Sequence, residues 1–434
     1  MDSTKYCKAI QEVKSYRHFG KIDKVIGMMI ESMGPHCRIG DLCKIYTYGF
    51  EKTIHAEVVG FRGKKVLLMP YEEPEGIRAG DLVESTNASL KIGVSEKLIG
   101  RVISATGKPI DDKGPIEVSK QYEVQSNSSN PLSRPRIHEV LEFGIKAIDG
   151  LLTIGKGQRM GIFAGSGVGK STLMGMIARN VKADINVIAL VGERGREVRE
   201  FLEKDLGKEG LARSVLVVST SDQPSMQRMK CAMVATTIAE YFKDTGKDVL
   251  LMMDSLTRFA MAQREIGLAT GEPPVARGYT PSIYSMMPKL LERTGNFETG
   301  SITGIYTVLV EGDDVNEPIS DTVRGIIDGH IVLSRKIAMR NHYPAIDILG
   351  SVSRLMNDIA DKEQLDVAGK IRNMMSVYEA NYDLVSIGAY KKGTNPALDH
   401  ALEKVDPING FLQQKIDETF LYDESIELMK AIVS

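Results

Sequence analysis

A glycine-rich stretch in the first half of the chain has the composition and spacing of a phosphate-binding loop. Glycines let backbone N–H groups curl around a phosphate at a helix N-terminus, where the helix dipole favours negative charge. The lysine of such a loop neutralises the β- and γ-phosphates of a nucleotide, and the hydroxyl after it is a ligand for Mg²⁺. The residues of the stretch are Ala164, Gly165, Ser166, Gly167, Val168, Gly169, Lys170, Ser171 and Thr172.

The segments on either side of the loop provide the context that this motif requires. The apolar run GIFAG predicts a strand before the loop, and STLMGMIA predicts a helix after it. Ala164 stands where the common pattern has glycine, a small departure that leaves the other positions intact. The sequence therefore predicts that the chain binds Mg²⁺–ATP here, with Lys170 on the phosphates and Ser171 on the metal, and that it hydrolyses ATP.

Two carboxylates at the ends of other apolar runs are candidates for the same site. Asp254 ends VLLMMD, and a carboxylate at the end of a buried strand needs a partner. We expect Asp254 to hold Mg²⁺ through water rather than to cap a helix N-terminus. Glu193 ends INVIALVGE. Because ligands bind beyond the carboxyl ends of parallel strands, Glu193 is predicted to face the phosphates and to polarise the attacking water. Without the phosphate loop nearby, this charged run would indicate a solvated helix start.

Alternating strand-like and helix-like patterns predict the scaffold that positions these residues. The apolar runs GIFAG, INVIALVG, SVLVVST, VLLMMD, SITGIYTVLV and HIVLSR are separated by helical patterns. Such alternation is typical of a parallel sheet covered by helices on both faces. The interval between Lys170 and Asp254 has room for two strand–helix units, which INVIALVG and SVLVVST supply.

The remaining segments predict further domains, since 434 residues are too many for one ordinary hydrophobic core. Short β-rich runs such as VIGMMI and HAEVVGF, punctuated by glycine turns, predict a small β-barrel with a role in assembly. The polar stretch QSNSSNPLSRPR is predicted to be a loop that separates the barrel region from the core. Helical spacing near the C-terminus involves Leu365, Ala368, Ile371, Met375 and Tyr378.

The expected division of the chain follows from these patterns. Residues from Ser3 to Tyr16 form an amphipathic pattern, which predicts a helix that either docks on the next domain or binds a partner. The expected segments are an N-terminal amphipathic helix at 1–20, a β-barrel domain at 21–92, a P-loop ATPase domain at 93–357 and a helical domain at 358–434.

Composition excludes several classes of protein. Lys and Arg number 55 against 57 Asp and Glu, so no global positive field attracts nucleic acid or an acidic membrane. The apolar runs are far shorter than the ~20 residues of a membrane span, and the N-terminus lacks the apolar centre of a secretory signal. Cys37 and Cys43 with His36 match no standard zinc spacing, which favours buried thiols. We therefore expect a cytoplasmic protein with no nucleic acid partner and no transmembrane segment.

Several long strings resemble one family. The loop AGSGVGKST and the runs VGERGREVREF, MMDSLTRFAMAQREIGLATGEPP, ARGYTPS, EGDDVNEPISDTVRGIIDGHIVL, YPAIDILGSVSR and IGAYKKG are similar to those of the rotary-type hexameric ATPases. Within them the chain is most similar to the ATPases of type III protein export, specifically those of flagella. The resemblance extends over essentially the whole chain. It implies an α/β fold: a RecA-like P-loop NTPase core with an N-terminal small β-barrel and a C-terminal helical domain.

The resemblance also implies individual roles. Glu193 matches the catalytic glutamate, and Arg194 is the arginine beside it. Arg258 matches an arginine that follows the Mg²⁺ aspartate, and Tyr343 matches the aromatic residue that packs on adenine. Arg354 matches the arginine finger that enters the site of a neighbouring subunit, where a guanidinium stabilises the charge on the transferred phosphoryl group. Without the resemblance, Arg354 would be interpreted as an ordinary surface arginine.

The same resemblance implies assembly and partners. In the rotary synthases the glutamate and the finger are divided between two different chains, whereas this chain carries both. A homohexamer with a site at each interface is therefore expected. The implied partners are a stator-like regulatory protein at the N-terminus, export chaperones and substrates, and a membrane export gate. The implied location is the cytoplasmic face of the flagellar export apparatus.

Four alternatives stay open at this point. A virulence-type III secretion ATPase shares the same strings. A catalytic subunit of a proton-translocating ATP synthase shares the fold and the loop, but Glu193 and Arg354 on one chain count against it. A hexameric RNA translocase has the same core, although the barrel lacks the aromatic and basic strip that single-strand binding uses. A catalytically inactive ring member requires that Lys170, Glu193 and Arg354 do not converge.

Overall fold

The fold is taken from a computed structural model that describes residues 17–47, 52–126, 130–310 and 317–434. The helix predicted between Ser3 and Tyr16 lies outside the described residues. No helix in the described ranges is long and apolar enough to cross a membrane. The described chain contains a barrel, a large sheet with helices, and a helical C-terminal part, as the sequence predicts. The residue boundaries between these parts remain predictions.

Six antiparallel strands close into the predicted barrel. They pair in the order β1-β2-β5-β4-β3-β6, and β1 also pairs with β6. Period-two burial explains the closure: β3 buries Cys43, Ile45 and Thr47, so one face of the strand fills the interior. The strands are β1 (Phe19–Ile26), β2 (Met29–Met33), β3 (Leu42–Thr47), β4 (Lys52–Arg62), β5 (Lys65–Pro70) and β6 (Leu82–Ser85).

The β-rich run VIGMMI belongs to two strands rather than to one. It contains the turn between β1 and β2, which pair antiparallel with Ile26 beside Met29. Gly27 has a φ of 56°, a left-handed conformation that favours glycine. This tight hairpin turn is not evident in the sequence, because apolar residues flank the glycine on both sides.

A buried ion pair joins the barrel to the large sheet's helices. Glu57 of β4 lies 2.7 Å from the Nζ of Lys230, a fully buried lysine. The hydroxyl of Tyr71 also donates to Glu57, and Gln227 donates to the Tyr71 carbonyl at 2.7 Å. Because removing one partner would leave an uncompensated buried charge, this cluster specifies how the barrel sits on the neighbouring domain.

Three short strands follow the barrel. Two of them pair with each other, and the third joins the large sheet by lying parallel to a later strand. The chain therefore enters the large sheet before the polar stretch QSNSSNPLSRPR, so that stretch does not separate the barrel region from the core as expected. A three-residue strand has too few residues to show a pattern. The strands are β7 (Lys91–Val94), β8 (Val102–Ser104) and β9 (Lys120–Glu123).

The central element is a nine-stranded sheet. Its main path is β17-β16-β10-β15-β13-β11-β12-β8, and β14 pairs with β15. All of its pairs are parallel except β16 with β17 and β14 with β15. The later strands are β10 (Arg159–Ala164), β11 (Ile185–Glu193), β12 (Ser214–Thr220), β13 (Asp248–Asp254), β14 (Gly295–Asn296), β15 (Ser301–Leu309), β16 (Gly329–Leu333) and β17 (Ile346–Ser353).

Helices cover both faces of this sheet, as predicted. Alternate residues of β11 belong to different cores: Val187 and Ala189 pack in one, Ile188 and Leu190 in the other. The helices up to the end of the sheet are α1 (Lys146–Leu151), α2 (Lys170–Asn180), α3 (Gly195–Glu200), α4 (Gly207–Ala212), α5 (Ser225–Asp244), α6 (Leu256–Thr270), α7 (Pro281–Leu291), α8 (Pro318–Ile326), α9 (Arg335–Ala338) and α10 (Met356–Ile359).

The C-terminal part is helical, as predicted, and packs against α1. Ala368 and Ile371 are buried in this contact, while Leu365, Met375 and Tyr378 are partly buried against the same core. The helical spacing of these residues therefore did mark a core-facing stripe. The helices are α11 (Lys362–Ala380), α12 (Tyr382–Ser386), α13 (Pro396–Leu412) and α14 (Tyr422–Val433).

Candidate functional site

The glycine-rich loop joins β10 to α2 at the carboxyl edge of the sheet. Ala164, the last residue of β10, lies between Leu309 of β15 and Leu333 of β16. Gly167 and Gly169 have φ values of 77° and 88°, which L side chains rarely adopt. The backbone N–H groups of the first turn of α2 have no partners within the helix, so they are available to an anion.

Some of the other loop residues are buried and some are exposed. Val168 is buried and packs in the core beneath the loop. Ser166 and Ser171 are exposed, and Gly165 is buried at the start of the loop. Burial raises the pKa of Asp205, and a hydrogen bond with the side chain of Thr172 opposes this shift.

Lys170 lies between two carboxylates. Its Nζ donates to Asp254 Oδ1 and lies 3.9 Å from Glu193 Oε1. The hydroxyl of Thr307 donates to the same Asp254 oxygen at 2.6 Å. These groups come from the ends of β13, β11 and β15, and parallel strands bring their carboxyl ends to one edge. The structure therefore brings Lys170, Asp254 and Glu193 together.

Glu193 is in an environment that disfavours its charged form. Burial, followed by the negative charge of Asp254, raises the pKa of Glu193 to about 7, against the opposing charges of Lys170 and Arg258. A hydrogen bond with Glu197 raises the pKa further. Glu193 Oε1 is buried and accepts no hydrogen bond from the described residues. A carboxyl group with a pKa near neutrality can exchange a proton with a bound water.

The two arginines predicted near Glu193 occupy different places. Arg258 lies in the first turn of α6 beside Gly192, whose added Cβ would be 3.3 Å from the Arg258 Cβ. Its buried Nε has no hydrogen-bond partner among the described residues. Arg194 is exposed instead, with Nη1 3.3 Å from Glu197 Oε1. The structure therefore brings Arg258 to the site and leaves Arg194 at its outer surface.

Ser171 and Asp254 provide the oxygen atoms that a magnesium site needs. Mg²⁺ prefers oxygen ligands and is held in proteins by few side chains, together with water and phosphate. Ser171 follows Lys170 at the start of α2, and Asp254 contacts the Lys170 ammonium. This donor set fits Mg²⁺ bound to a nucleotide. No cluster of three or more His, Cys, Asp or Glu side chains in the described ranges has the arrangement of a metal site formed by protein alone.

Tyr343 lies against the phosphate loop. A Cβ added to Gly169 would be 3.3 Å from the Tyr343 Cε1, so the ring packs closely on the loop backbone. The side chain is 42% exposed, which leaves a ring face open beside the loop. The Tyr343 carbonyl accepts a hydrogen bond from the backbone N–H of Gln414 at 3.0 Å. This position is suitable for stacking on a nucleotide base.

Arg354 follows β17 and lies at the opposite end of the strands from the phosphate loop. Strand β17 runs antiparallel to β16, so Ile346 lies beside Leu333 near the loop, whereas Ser353 lies beside Gly329. Arg354 comes about eight residues after Ile346, which at roughly 3.3 Å per residue separates it from its own loop by on the order of 25 Å. Its Nη2 donates to the carbonyl of Arg324 at 3.2 Å, in an exposed position.

Sequence reasoning missed two residues that the structure brings to the site. Thr307 is a polar residue in the apolar run SITGIYTVLV, and its burial next to Asp254 could have been suspected from that contrast. Gln414 reaches Tyr343 from the connection between α13 and α14, a contact for which the sequence contains no periodic signal. Both residues hold a predicted site residue in place.

Comparisons with known proteins agree with this geometry. Residues 22–87 match the β-barrel domain of the ATP synthase alpha/beta family, residues 144–353 match its nucleotide-binding domain, and residues 360–431 match the C-terminal domain of the type III secretion ATPase EscN. The chain is 55% identical to the flagellum-specific ATP synthase of Bacillus subtilis strain 168, over 98% of this chain and 97% of that protein. It is 47% identical to the type 3 secretion system ATPase of Xanthomonas euvesicatoria, over 96% and 94%.

Solved structures show the same similarity in three dimensions. Assembled EscN from enteropathogenic E. coli superimposes with a TM-score of 0.91 at 45% identity, covering 96% of this chain and all of that one. EscN in complex with its central stalk EscO superimposes with a TM-score of 0.89 at 44% identity, with the same coverage. The fold, the nucleotide site and these similarities together show that the chain belongs to the ATP synthase alpha/beta family, in the group of flagellum-specific and type III secretion ATPases.

Proposed function

We propose that this chain is the Mg²⁺-dependent ATPase of a flagellar type III protein export apparatus. The proposed ATP hydrolysis is supported by the convergence of Lys170, Asp254 and Glu193 at the phosphate loop. The flagellar part is supported by 55% identity to a flagellum-specific ATP synthase over nearly the whole of both chains. Hydrolysis would energise the release, unfolding and entry of export substrates at the cytoplasmic face of the apparatus.

The catalytic proposal assigns one task to each residue. The backbone N–H groups of the loop and the Lys170 ammonium bind the β- and γ-phosphates of ATP. Mg²⁺, when bound through Ser171 and Asp254, neutralises charge on the phosphate oxygens. Glu193 orients the attacking water and takes up its proton, which its raised pKa favours. Arg258 adds positive charge beside Glu193, and Tyr343 packs on the adenine.

The raised pKa of Glu193 predicts an acid limb in the pH profile of kcat/KM, which reports groups of the free enzyme. A base must be ionised, so activity should fall as the pH falls through about 7, where this carboxyl takes up a proton. Glu197→Gln removes one cause of the raised pKa and should move the limb to lower pH. Glu200→Gln, on the same helix but paired with Lys204, should leave the limb in place. A profile that is flat through neutrality would argue against Glu193 as the base.

The position of Arg354 supports a catalytic ring. The roughly 25 Å between Arg354 and its own loop prevents it from serving that loop. A head-to-tail contact can present one copy's exposed edge to the next copy's site, and such contacts form closed rings when the rotation closes. The close similarity to an assembled EscN supports this arrangement. We therefore propose a homohexamer in which Arg354 of one copy completes the site of its neighbour.

Partners are proposed by similarity alone. EscN has been solved in complex with its central stalk EscO, which supports a stalk partner for this chain. The flagellar similarity supports further partners: a stator-like regulator at the predicted N-terminal helix, export chaperones, substrates and a membrane export gate. Arg194 is proposed as a minor contributor, because its guanidinium contacts Glu197 rather than Glu193.

A virulence-type III secretion ATPase is the second candidate. Its support is the 47% identity to the Xanthomonas enzyme and the similarity to EscN, both below the 55% identity to the flagellar relative. The Bacillus subtilis relative offers a direct comparison between the two candidates. If this chain restores motility to a Bacillus subtilis strain that lacks its flagellum-specific ATP synthase, the flagellar function is supported.

The specific ATPase activity, measured at increasing protein concentration, tests the proposed function. If sites form only between copies, activity per chain should rise steeply with concentration and then level off as rings fill. Lys170→Ala protein prepared in parallel measures contaminating ATPase, because it lacks the phosphate-binding ammonium. Activity per chain that is constant across the range, in a protein shown to be monomeric, would contradict interface catalysis. No activity above the Lys170→Ala blank at any concentration would contradict the ATPase itself.

A further inference from the structure

The chain between α13 and α14, residues 413–421, crosses from the C-terminal helices to the nucleotide site. We call this segment the 413–421 connector. Its Gln414 donates a backbone hydrogen bond to the Tyr343 carbonyl at 3.0 Å. Tyr343 lies against Gly169, the N-cap residue just before the phosphate-loop helix α2. The connector therefore holds the backbone of the residue whose ring we assign to the base.

Both polar atoms of the Gln414 side chain form hydrogen bonds that anchor the connector. It is 6% exposed, and its Nε2 donates to the carbonyls of Gly144 at 2.9 Å and Glu418 at 3.0 Å. Its Oε1 accepts from the backbone N–H of Lys146 at 3.0 Å. A buried amide that makes three hydrogen bonds fixes its own backbone, and so fixes the N–H that reaches Tyr343.

The connector also accepts hydrogen bonds from the C-terminal end of α2, the phosphate-loop helix. Arg179 in the last turn of α2 donates to the Ile416 carbonyl at 2.8 Å, and Asn180 donates to the Glu418 carbonyl at 3.3 Å. Thr419 packs so closely on Gly144 that a Cβ added there would be 3.0 Å from the Thr419 Cγ2. One short segment thus contacts both the residue proposed for the base and the helix that begins at the phosphates.

We infer that Gln414 is a positioning residue for nucleotide recognition, acting through Tyr343. The inference rests on the proposed function and extends it to a residue of the C-terminal part. The hydrogen bonds of Gln414 go to Tyr343 and to residues outside the phosphate loop. Its loss should therefore weaken binding of the base and spare binding of the phosphate chain. The predicted effect is therefore on the KM for ATP rather than on the chemical step.

Gln414→Met tests this inference, since methionine matches the length of glutamine without its amide. We expect the KM for ATP to rise about tenfold, a share of what one stacking contact between a base and an aromatic ring contributes, with kcat at saturation kept within about twofold. Inhibition by inorganic tripolyphosphate, which has the phosphates but no base, should be unchanged. This difference between ATP and tripolyphosphate is a readout that general loosening of the site would not produce.

Gln364→Met is a matched control in the same C-terminal part. Gln364 is 1% exposed and its amide donates to Thr153 Oγ1 at 2.8 Å and to the Asp149 carbonyl at 3.1 Å, away from Tyr343. It should lower the melting temperature as Gln414→Met does, but leave both the KM for ATP and the tripolyphosphate inhibition unchanged. Equal increases of the KM for ATP in the two variants would overturn the inference. A loss of tripolyphosphate inhibition in Gln414→Met would do the same.

Arg179→Ala provides a second route if Gln414→Met does not fold. Arg179 is half-buried and its hydrogen bond to the connector is exposed, so its removal should be tolerated. We expect a smaller rise in the KM for ATP, about twofold to threefold, again without a change for tripolyphosphate.

Tyr343→Ala distinguishes the role of Tyr343 in binding the base from the role of Gln414 in positioning Tyr343. If it raises the KM while neither connector variant does, the site assignment stands and the role of Gln414 is excluded.

Discussion

Glu193→Gln is expected to reduce ATP turnover by about 10² to 10⁴, the usual contribution of a general acid–base group. Glutamine keeps the shape of the side chain but cannot accept the proton of the attacking water. Nucleotide binding should be retained, because Lys170 and the loop are unchanged and one negative charge near the phosphates has been removed. The expected result is thus a protein that binds ATP and does not hydrolyse it.

Steady-state turnover and nucleotide titration on the same preparation measure both halves of this prediction. Glu200→Gln is the control, because Glu200 lies about one helix turn beyond Glu197 and is ion-paired with Lys204 at 2.8 Å rather than with Lys170. It should have the turnover of the unmodified chain. If Glu193→Gln turned over ATP at an undiminished rate, the buried carboxylate would have to be reassigned to structure, and the proposed mechanism would lose its base.

Arg354→Ala is expected to reduce turnover of the assembled ring by about 10³ or more, the contribution of an arginine finger in related phosphoryl transfer. The affinity for ATP should change little, because the guanidinium stabilises charge that develops in the transition state. Arg354→Lys should restore only a small part of the activity, since an ammonium cannot reproduce the planar fork of donors. Assembly should be checked by sedimentation, so that lost turnover is not confused with lost rings.

Mixing the two inactive variants tests whether the finger acts between copies. An interface in which the Arg354→Ala chain supplies Glu193 and the Glu193→Gln chain supplies Arg354 contains both native groups. Random assembly makes about a quarter of the interfaces of this kind, so mixed rings should regain a corresponding share of activity. Rings that stay inactive after the chains have been shown to mix would mean that Arg354 does not act on a neighbour's site.

The sequence predicted those parts of the site that are formed by residues adjacent in the chain. The glycines, Lys170 and Ser171 form one continuous stretch, and the flanking apolar runs showed that a strand precedes it and a helix follows it. Asp254 and Glu193 could be placed at strand ends from their apolar runs, and parallel strands necessarily bring such ends to one edge. Burial and charge then gave Glu193 its unusual pKa, which no local pattern encodes.

The sequence by itself determined the fold class, the phosphate loop and the two acids at the strand ends, because each depends on short-range periodicity or on one contiguous motif. Only the tertiary structure decided which distant residues support them. Thr307 meets Asp254 through strand register, Gln414 meets Tyr343 across a connection between helices, and Arg354 is carried away from its own loop by an antiparallel edge strand. Contacts between residues far apart in the chain depend on how the elements pack, and packing has no signature in any single segment.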